Sequence, residues 1–211
     1  MKTTCMLVAA SVAALCAGCA TSERSRTLNN PLVPASTTAA QVCSNCHELD
    51  GNSVSPNFPR IAAQPAPYLA AQLTQFRSHN RSDPAGFVYM WGLSRSLTDS
   101  QIEGLAKYFS QQAAAPNAPA EPALAQAGQA IFEKGIASAN VPPCSSCHGP
   151  EGHGKDTFPR LAGQHADYVA KQLHVFQSTE QRPEGAVMKT VAHSLTPQDI
   201  RAVAAYVQGL P

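Results

Sequence analysis

The chain is poor in charge, in aromatic rings and in anything that reads as a strand. Of its 211 residues, 14% are charged and 6% aromatic, with one tryptophan. The formal net charge is +1. A chain so close to neutral sets up no field that would draw it to nucleic acid. No segment alternates apolar and polar side chains as a half-buried strand would. No apolar run approaches the roughly 20 residues that a membrane-spanning helix needs. Spare cysteines are lacking too. Of seven, Cys5, Cys16 and Cys19 stand near the N-terminus, and the other four sit in two short motifs. None is left for a separate disulfide framework. Alanine and proline inflate the apolar fraction of 44%. Two small domains of this composition would be marginal on side-chain packing alone. Something else is expected to fill their centres.

The N-terminus reads as an export signal. Lys2 supplies the positive start and "MLVAASVAALCAG" a short apolar stretch ending in small residues. "LCAGCATS" resembles a bacterial lipoprotein box with Cys19 as the residue that would carry lipid. Either simple cleavage or lipidation places the mature chain outside the cytoplasm, in the periplasm.

The rest is an internal duplication. "CSNCH" at 43–47 answers "CSSCH" at 144–148. "NFPRIAAQPAPYLAAQLTQFRS" at 57–78 answers "TFPRLAGQHADYVAKQLHVFQS" at 157–178 without a gap. "SLTDSQIEGLAKYF" at 96–109 answers "SLTPQDIRAVAAYV" at 194–207. The offset falls from 101 to 100 to 98, so small length changes sit between the matched blocks. An Ala/Pro stretch, "QQAAAPNAPAEPA", separates the halves.

Each half reads as helical. Tyr68, Leu69, Leu73 and Phe76 recur at helical spacing, as do Tyr168, Val169, Leu173 and Phe176. Thr98 with Gln101 predicts a capping box, and Thr196 precedes a proline at the first helical position. A further helix is expected over 123–135, before the second motif. The stretch before the first motif, "STTAAQV", is shorter.

Cys-x-x-Cys-His is the attachment signature of c-type haem. Two thiols add to the two vinyl groups, and the adjacent histidine reaches the iron from one face. A redox dithiol needs no such histidine. A zinc site shared between the motifs would leave each half's complete helical repeat without a reason. Cys43, Cys46, Cys144 and Cys147 are therefore read as the covalent anchors of two haems, with His47 and His148 on the irons.

Methionine is scarce enough to name the opposite ligands. Met1 and Met6 lie in the signal, which leaves Met90 and Met188. Each stands seven residues before the leucine of "SLT". They follow their histidines by 43 and 40 residues, room enough to wrap a porphyrin. Met/His ligation favours ferrous iron and fills both axial positions. His79, His153, His165, His174 and His193 have no histidine at the matching position and are expected on the surface or in loops. "GPEGHGKD" lacks the hydroxyl residue of a phosphate loop, and "HELDG" lacks the second histidine of a zinc protease.

These features together resemble the dihaem cytochrome c4 family over nearly all of the mature sequence. The residues that carry the likeness are both Cys-x-x-Cys-His motifs, "DGNSVSPNFPRIAAQ", the "YLAAQL" and "YVAKQL" segments and the two "SLT" ends. The resemblance implies an all-α fold of two tandem class I cytochrome c domains, each wrapped around one covalent haem. On this reading residues 1–19 are the export signal and 20–35 a flexible segment. The first domain spans 36–112, the linker 113–122 and the second domain 123–211. The resemblance also implies a periplasmic electron carrier rather than an enzyme, with redox partners such as a respiratory donor and a terminal oxidase or dehydrogenase. A lipid anchor at Cys19 would hold it at the membrane. An open or displaceable sixth site would instead make it a haem enzyme.

Carbonyls at or beside Pro59 and Pro159 are candidate acceptors for the histidine ring N–H groups. Arg60 and Arg160 are candidate contacts for haem propionates. The first half departs from the family pattern at three points. Glu48 follows its motif where glycine is favoured, Ala63 stands where the second half has Gly163, and Trp91 directly follows Met90.

Overall fold

The computed structural model describes residues 28–117 and 121–211. The proposed export signal and Cys19 lie outside them. In the first half, α1 (Ala35–Thr38) passes through a π-helical turn (Ala39–Cys43) into α2 (Ser44–His47), which ends the first motif. Then come α3 (Ala66–Arg77), a second π-helical turn (Gly86–Met90), α4 (Trp91–Ser94) and α5 (Asp99–Ser110). The second half runs α6 (Pro122–Lys134), α7 (Ser145–His148), α8 (Ala166–Ser178), α9 (Ala186–Ala192) and α10 (Pro197–Gln208). Among the described residues, β pairing is limited to isolated bridges, Ile136 with Val141 and Lys155 with Phe158.

Each half packs its apolar stripes around its own centre. Leu69 from α3 meets Ile102, Leu105 and Phe109 from α5. Val169 and Leu173 from α8 meet Phe132, Ile200, Val203 and Val207. The final helix of each half starts where the sequence places it. Thr98 accepts from the Gln101 backbone N–H while Gln101 accepts from the Thr98 backbone. Thr196 and Asp199 form the same reciprocal box, a partner that the reading of Pro197 alone did not supply. A box of this kind contributes about 1 kcal/mol. Where α6 crosses α10 only glycine fits, because a Cβ on Gly128 would fall 2.0 Å from the Ala202 carbonyl oxygen.

The halves are clasped by a reciprocal pair of glutamines. Gln64 Nε2 donates to the Arg160 carbonyl at 2.7 Å, and its Oε1 accepts from the Arg160 N–H at 2.9 Å. Gln164 does the same to Arg60, at 2.8 and 2.9 Å. Each glutamine thus completes a backbone edge in the other half. Beside them lies a buried polar network. Arg81 binds Asp83 at 2.7 Å and Gln72 at 2.6 Å, and reaches the Tyr168 hydroxyl at 3.2 Å. Arg182 binds Glu184 at 2.9 Å, Gln172 at 2.8 Å and, across the halves, Gln72 at 2.9 Å. Gln172 donates to Asp83 at 3.2 Å. Burial alone would raise the Asp83 carboxyl, but the Arg81 guanidinium, together with Gln172 and Arg182, outweighs it and holds the group below the usual carboxylate range.

His165 departs from expectation. It is 7% exposed, and its Nε2 lies 2.8 Å from the Ser53 carbonyl of the other half. It is an interface residue, placed there because "AGQH" closes the loop that carries Gln164.

The first half carries backbone strain that the second avoids. Glu48 has φ 63 and ψ 163, a region open almost only to glycine, and its counterpart Gly149 has φ 83. Ala63 sits at φ 54 where Gly163 has φ 72.

Two outcomes follow. Glu48→Gly in the haem-loaded protein should stabilise by about 1 kcal/mol, because relief of about 1–3 kcal/mol of strain exceeds the added unfolded-state entropy. A thermal transition that stays put or falls would refute the strain argument. Asp83→Asn leaves Arg81 buried without its counter-charge and should cost about 3–5 kcal/mol. Because the folded Asp83 carboxyl is depressed, its stabilisation is full above the unfolded value near 3.9 and is lost as pH falls through the folded value. Acid titration of unfolding should therefore show a shallower loss below about pH 4 in Asp83→Asn than in the parent.

Candidate functional site

A continuous, mostly apolar cavity of about 440 Å³ runs through both halves. From the first half it is lined by Cys43, Cys46, His47 and Met90, and from the second by Cys144, Cys147, His148 and Met188. The eight residues that the motifs single out thus face one space. His47 and His148 each end the short helix that carries its motif, and Met90 ends the second π-helical turn. Met188 sits inside α9. Walls of Leu69, Leu73, Phe76 and Leu105 on one side, and Leu173, Val203 and Val207 on the other, keep the space apolar.

The two histidines are fixed identically. His47 Nδ1 lies 2.9 Å from the Pro59 carbonyl, and His148 Nδ1 lies 2.9 Å from the Pro159 carbonyl. Proline can give only its carbonyl here, so the ring donates and Nε2 keeps its lone pair. Burial pushes both imidazoles below their usual pKa, and the carbonyl bond opposes this only in part. Both rings are therefore neutral at pH 7, the form that ligates a metal. Phe58 and Phe158 stand edge-on to the two rings with centroids 6.3 Å away.

Cys43, Cys46, Cys144 and Cys147 are free thiols. Burial raises Cys43 and Cys144 to about 11, against a backbone hydrogen bond that lowers each. A dithiol oxidoreductase needs the opposite, a thiolate at neutral pH. Among the described residues, no three His, Cys, Asp or Glu side chains converge to hold a metal ion by themselves. Two thiols, a neutral imidazole with one nitrogen free and a thioether around an apolar space fit a porphyrin.

Arg60 and Arg160 also line the cavity, and their guanidinium groups hold the chain beyond the last helix of their own half. Arg60 donates to the Ala115 carbonyl at 2.8 Å, and Arg160 to Pro211 O at 2.5 Å. Sequence reasoning overlooked Gln64, Gln164, Arg81 and Arg182. The signal was available, since all four lie in register between the halves, and "RSD" answers "RPE".

Comparison with known proteins agrees with this geometry. The cytochrome c family model matches residues 33–113 and 125–211. Cytochrome c4 of Stutzerimonas stutzeri is 40% identical over 178 residues, covering 80% of this chain and 84% of that protein. The thiosulfate dehydrogenase electron acceptor of Stutzerimonas stutzeri (strain A1501) is 32% identical, covering 80% of this chain and 78% of its own. The crystal structure of reduced recombinant cytochrome c4 from Pseudomonas stutzeri superposes with a TM-score of 0.75 at 38% identity, covering 84% of this chain and 97% of that one. Two matched helical halves, each with its own thiol pair and neutral imidazole on an apolar space, and these relatives lead to one assignment. The chain belongs to the dihaem cytochrome c4 family, two tandem class I cytochrome c domains that each hold one covalent c-type haem.

Proposed function

We propose that the protein is a periplasmic one-electron carrier between respiratory donors and an acceptor such as a terminal oxidase. His47 and Met90 would ligate the first iron, and His148 and Met188 the second. One observation carries this reading: in each half a histidine locked by a proline carbonyl shares an apolar space with that half's methionine. Bound haem supplies an iron that takes up and returns a single electron.

The chain does the rest. The four cysteines anchor, and the Pro59 and Pro159 carbonyls fix ring orientation, as outer partners of metal-bound histidines do. The Met90 and Met188 thioethers, as ligands to a bound haem, would favour the reduced state and leave the iron closed to substrates. The apolar walls exclude water, which keeps the charge change inexpensive in reorganisation. Arg60 and Arg160, which line the cavity, would meet propionate carboxylates with the donors that their backbone partners leave over. The glutamine clasp keeps the two sites in one body. Cys19, if lipidated, would hold the carrier at the membrane surface. No helix among the described residues is long and apolar enough to cross it.

A second reading rests on the thiosulfate dehydrogenase relatives. The TsdBA structure from Marichromatium purpuratum matches 90% of this chain with a TM-score of 0.73 at 34% identity, yet this chain covers 40% of that one. A unit of this kind can thus sit within a larger dehydrogenase, and the protein would then be its electron-accepting partner.

The reduced visible spectrum with and without carbon monoxide tests the ligation. Wild-type protein should not respond. Met90→Ala or Met188→Ala should each bind carbon monoxide at one haem only and lower that haem's reduction potential. A carbon monoxide response in the wild type would overturn the carrier reading in favour of chemistry at an open iron. Reduction by thiosulfate plus its dehydrogenase, but by no respiratory donor, would select the second reading.

A further inference from the structure

The duplication provides its own control, and one surface differs between the halves. Gly86 and Gly185 are structural equivalents, because a Cβ on either would fall 2.5 Å from Phe76 or Phe176. Met90 follows Gly86 by four positions, and Met188 follows Gly185 by three. The extra residue in the first domain is absorbed as the π-helical turn Gly86–Met90, where the second domain has the regular start of α9. Such bulges are inserted residues and concentrate at functional sites.

The bulge pushes apolar side chains outward. Phe87 is 56% exposed, Val88 60% and Tyr89 50%, with Leu93 of α4 beside them. No charged residue occurs from Pro84 to Ser94. The nearest charges on one side, Arg81 and Asp83, are buried against each other; on the other, exposed Arg95 caps α4 and puts one cation at the rim of the face. The matching stretch of the second domain has Gly185, Ala186 and Val187, followed by Lys189, which is paired with Glu180 at the surface. That face has smaller apolar side chains and an ion pair beside them.

The apolar face is also rigid and coupled to the site. Trp91 stacks on His79 at 4.1 Å, takes Phe87 edge-on at 5.2 Å and donates to the Arg81 carbonyl at 2.7 Å. Tyr89 meets Phe58 edge-on at 5.5 Å, and Phe58 meets His47. An aromatic series therefore leads from the surface to the first histidine. The second domain keeps Phe158 against His148 but has Val187 in place of the tyrosine.

We propose that the Gly86–Met90 turn and α4 form the face on which this protein docks its redox partners, and that the partner presents an equally uncharged, apolar contact surface. A charged centre on the partner would lose its hydration here and gain no counter-charge. Rigid exposed aromatics with no ordering cost are the usual anchors of such contacts. The proposal rests on the carrier reading, and it makes the first domain the exchanging one.

Electron self-exchange provides the test, with a second copy of the haem-loaded protein as the probe. One copy is oxidised as the other is reduced, so the rate is read from haem resonance broadening in partly reduced samples. Wild-type exchange should change little between about 20 and 300 mM salt, since no charge meets charge. Val88→Lys sets two cations face to face and should slow exchange at least tenfold at low salt, with recovery as salt is added. Leu93→Lys should do the same. Ala186→Lys, at the matching position of the second domain, should stay within about twofold of wild type. Exchange slowed by Ala186→Lys instead, or unaffected in both first-domain variants, would overturn the proposal. So would a stable dimer sealed through this face in sedimentation. Failure of the carrier reading shows separately, as a carbon monoxide response of the wild-type spectrum.

Discussion

The covalent anchoring of one haem in each half is the constraint on which the rest depends. The helices are short, the aromatics few, and the apolar stripes of each half meet across a space that side chains alone do not close. Domains of about 80 to 90 residues built this way are marginal without a staple. The covalent haem is that staple, and it explains why so light a core suffices. It also explains the identical treatment of His47 and His148. A ring bonded to a proline carbonyl can present only its other nitrogen, so orientation is fixed before the metal is met. Burial keeps both rings neutral, and it keeps Cys43 and Cys144 as thiols rather than thiolates.

The second level of organisation is the clasp between halves. Gln64 and Gln164 satisfy backbone groups that loops would otherwise leave to water, and each does so in the opposite domain. Two backbone-like hydrogen bonds per glutamine are individually modest, at about 1 kcal/mol each. Their reciprocity matters more, because neither domain can rotate without breaking both pairs. The Arg81 and Arg182 network adds ions that are costly to bury and costlier to separate. The Glu184 Oε2 atom is the single buried side-chain oxygen or nitrogen without a partner among the described residues. Its twin, Asp83, is bonded through both oxygens. The network is therefore balanced better on the first domain's side.

Much of this was legible in the sequence, and the reason is duplication. A motif met once is ambiguous, whereas a motif met twice in register, with a methionine in register behind it, carries its chemistry openly. The helices, both final-helix starts and the proline acceptors could all be read from spacing and capping residues. The interface could not. Glutamine and arginine are usually solvated, so nothing in "AAQ" or "RSD" alone announces burial. Only the match with "AGQ" and "RPE" hinted at a shared task. His165 escaped for the opposite reason, since it has no counterpart and looked like an isolated loop residue. The Asp199 half of the second capping box was hidden behind the more obvious proline.

The falling offset between the halves was the least regarded feature of the sequence, yet it marks where the domains have parted. A length change inside a loop is absorbed without consequence. Between Gly86 and Met90 there is no slack, because Phe76 pins one end and the methionine position fixes the other. An added residue there must widen the helix, and a widened turn displays what it carries. In this chain it carries Phe87, Val88 and Tyr89, with no charge between Pro84 and Ser94 and Arg95 at the rim. The same domain tolerates Glu48 and Ala63 in glycine's backbone regions. At the matched positions, strain and bulge thus gather in the first domain, while the second keeps Gly149, Gly163 and a regular helix start. Two copies that began alike would have no reason to diverge in this pattern if both served the same contact. The divergence is that of a domain that meets partners, joined to one that does not.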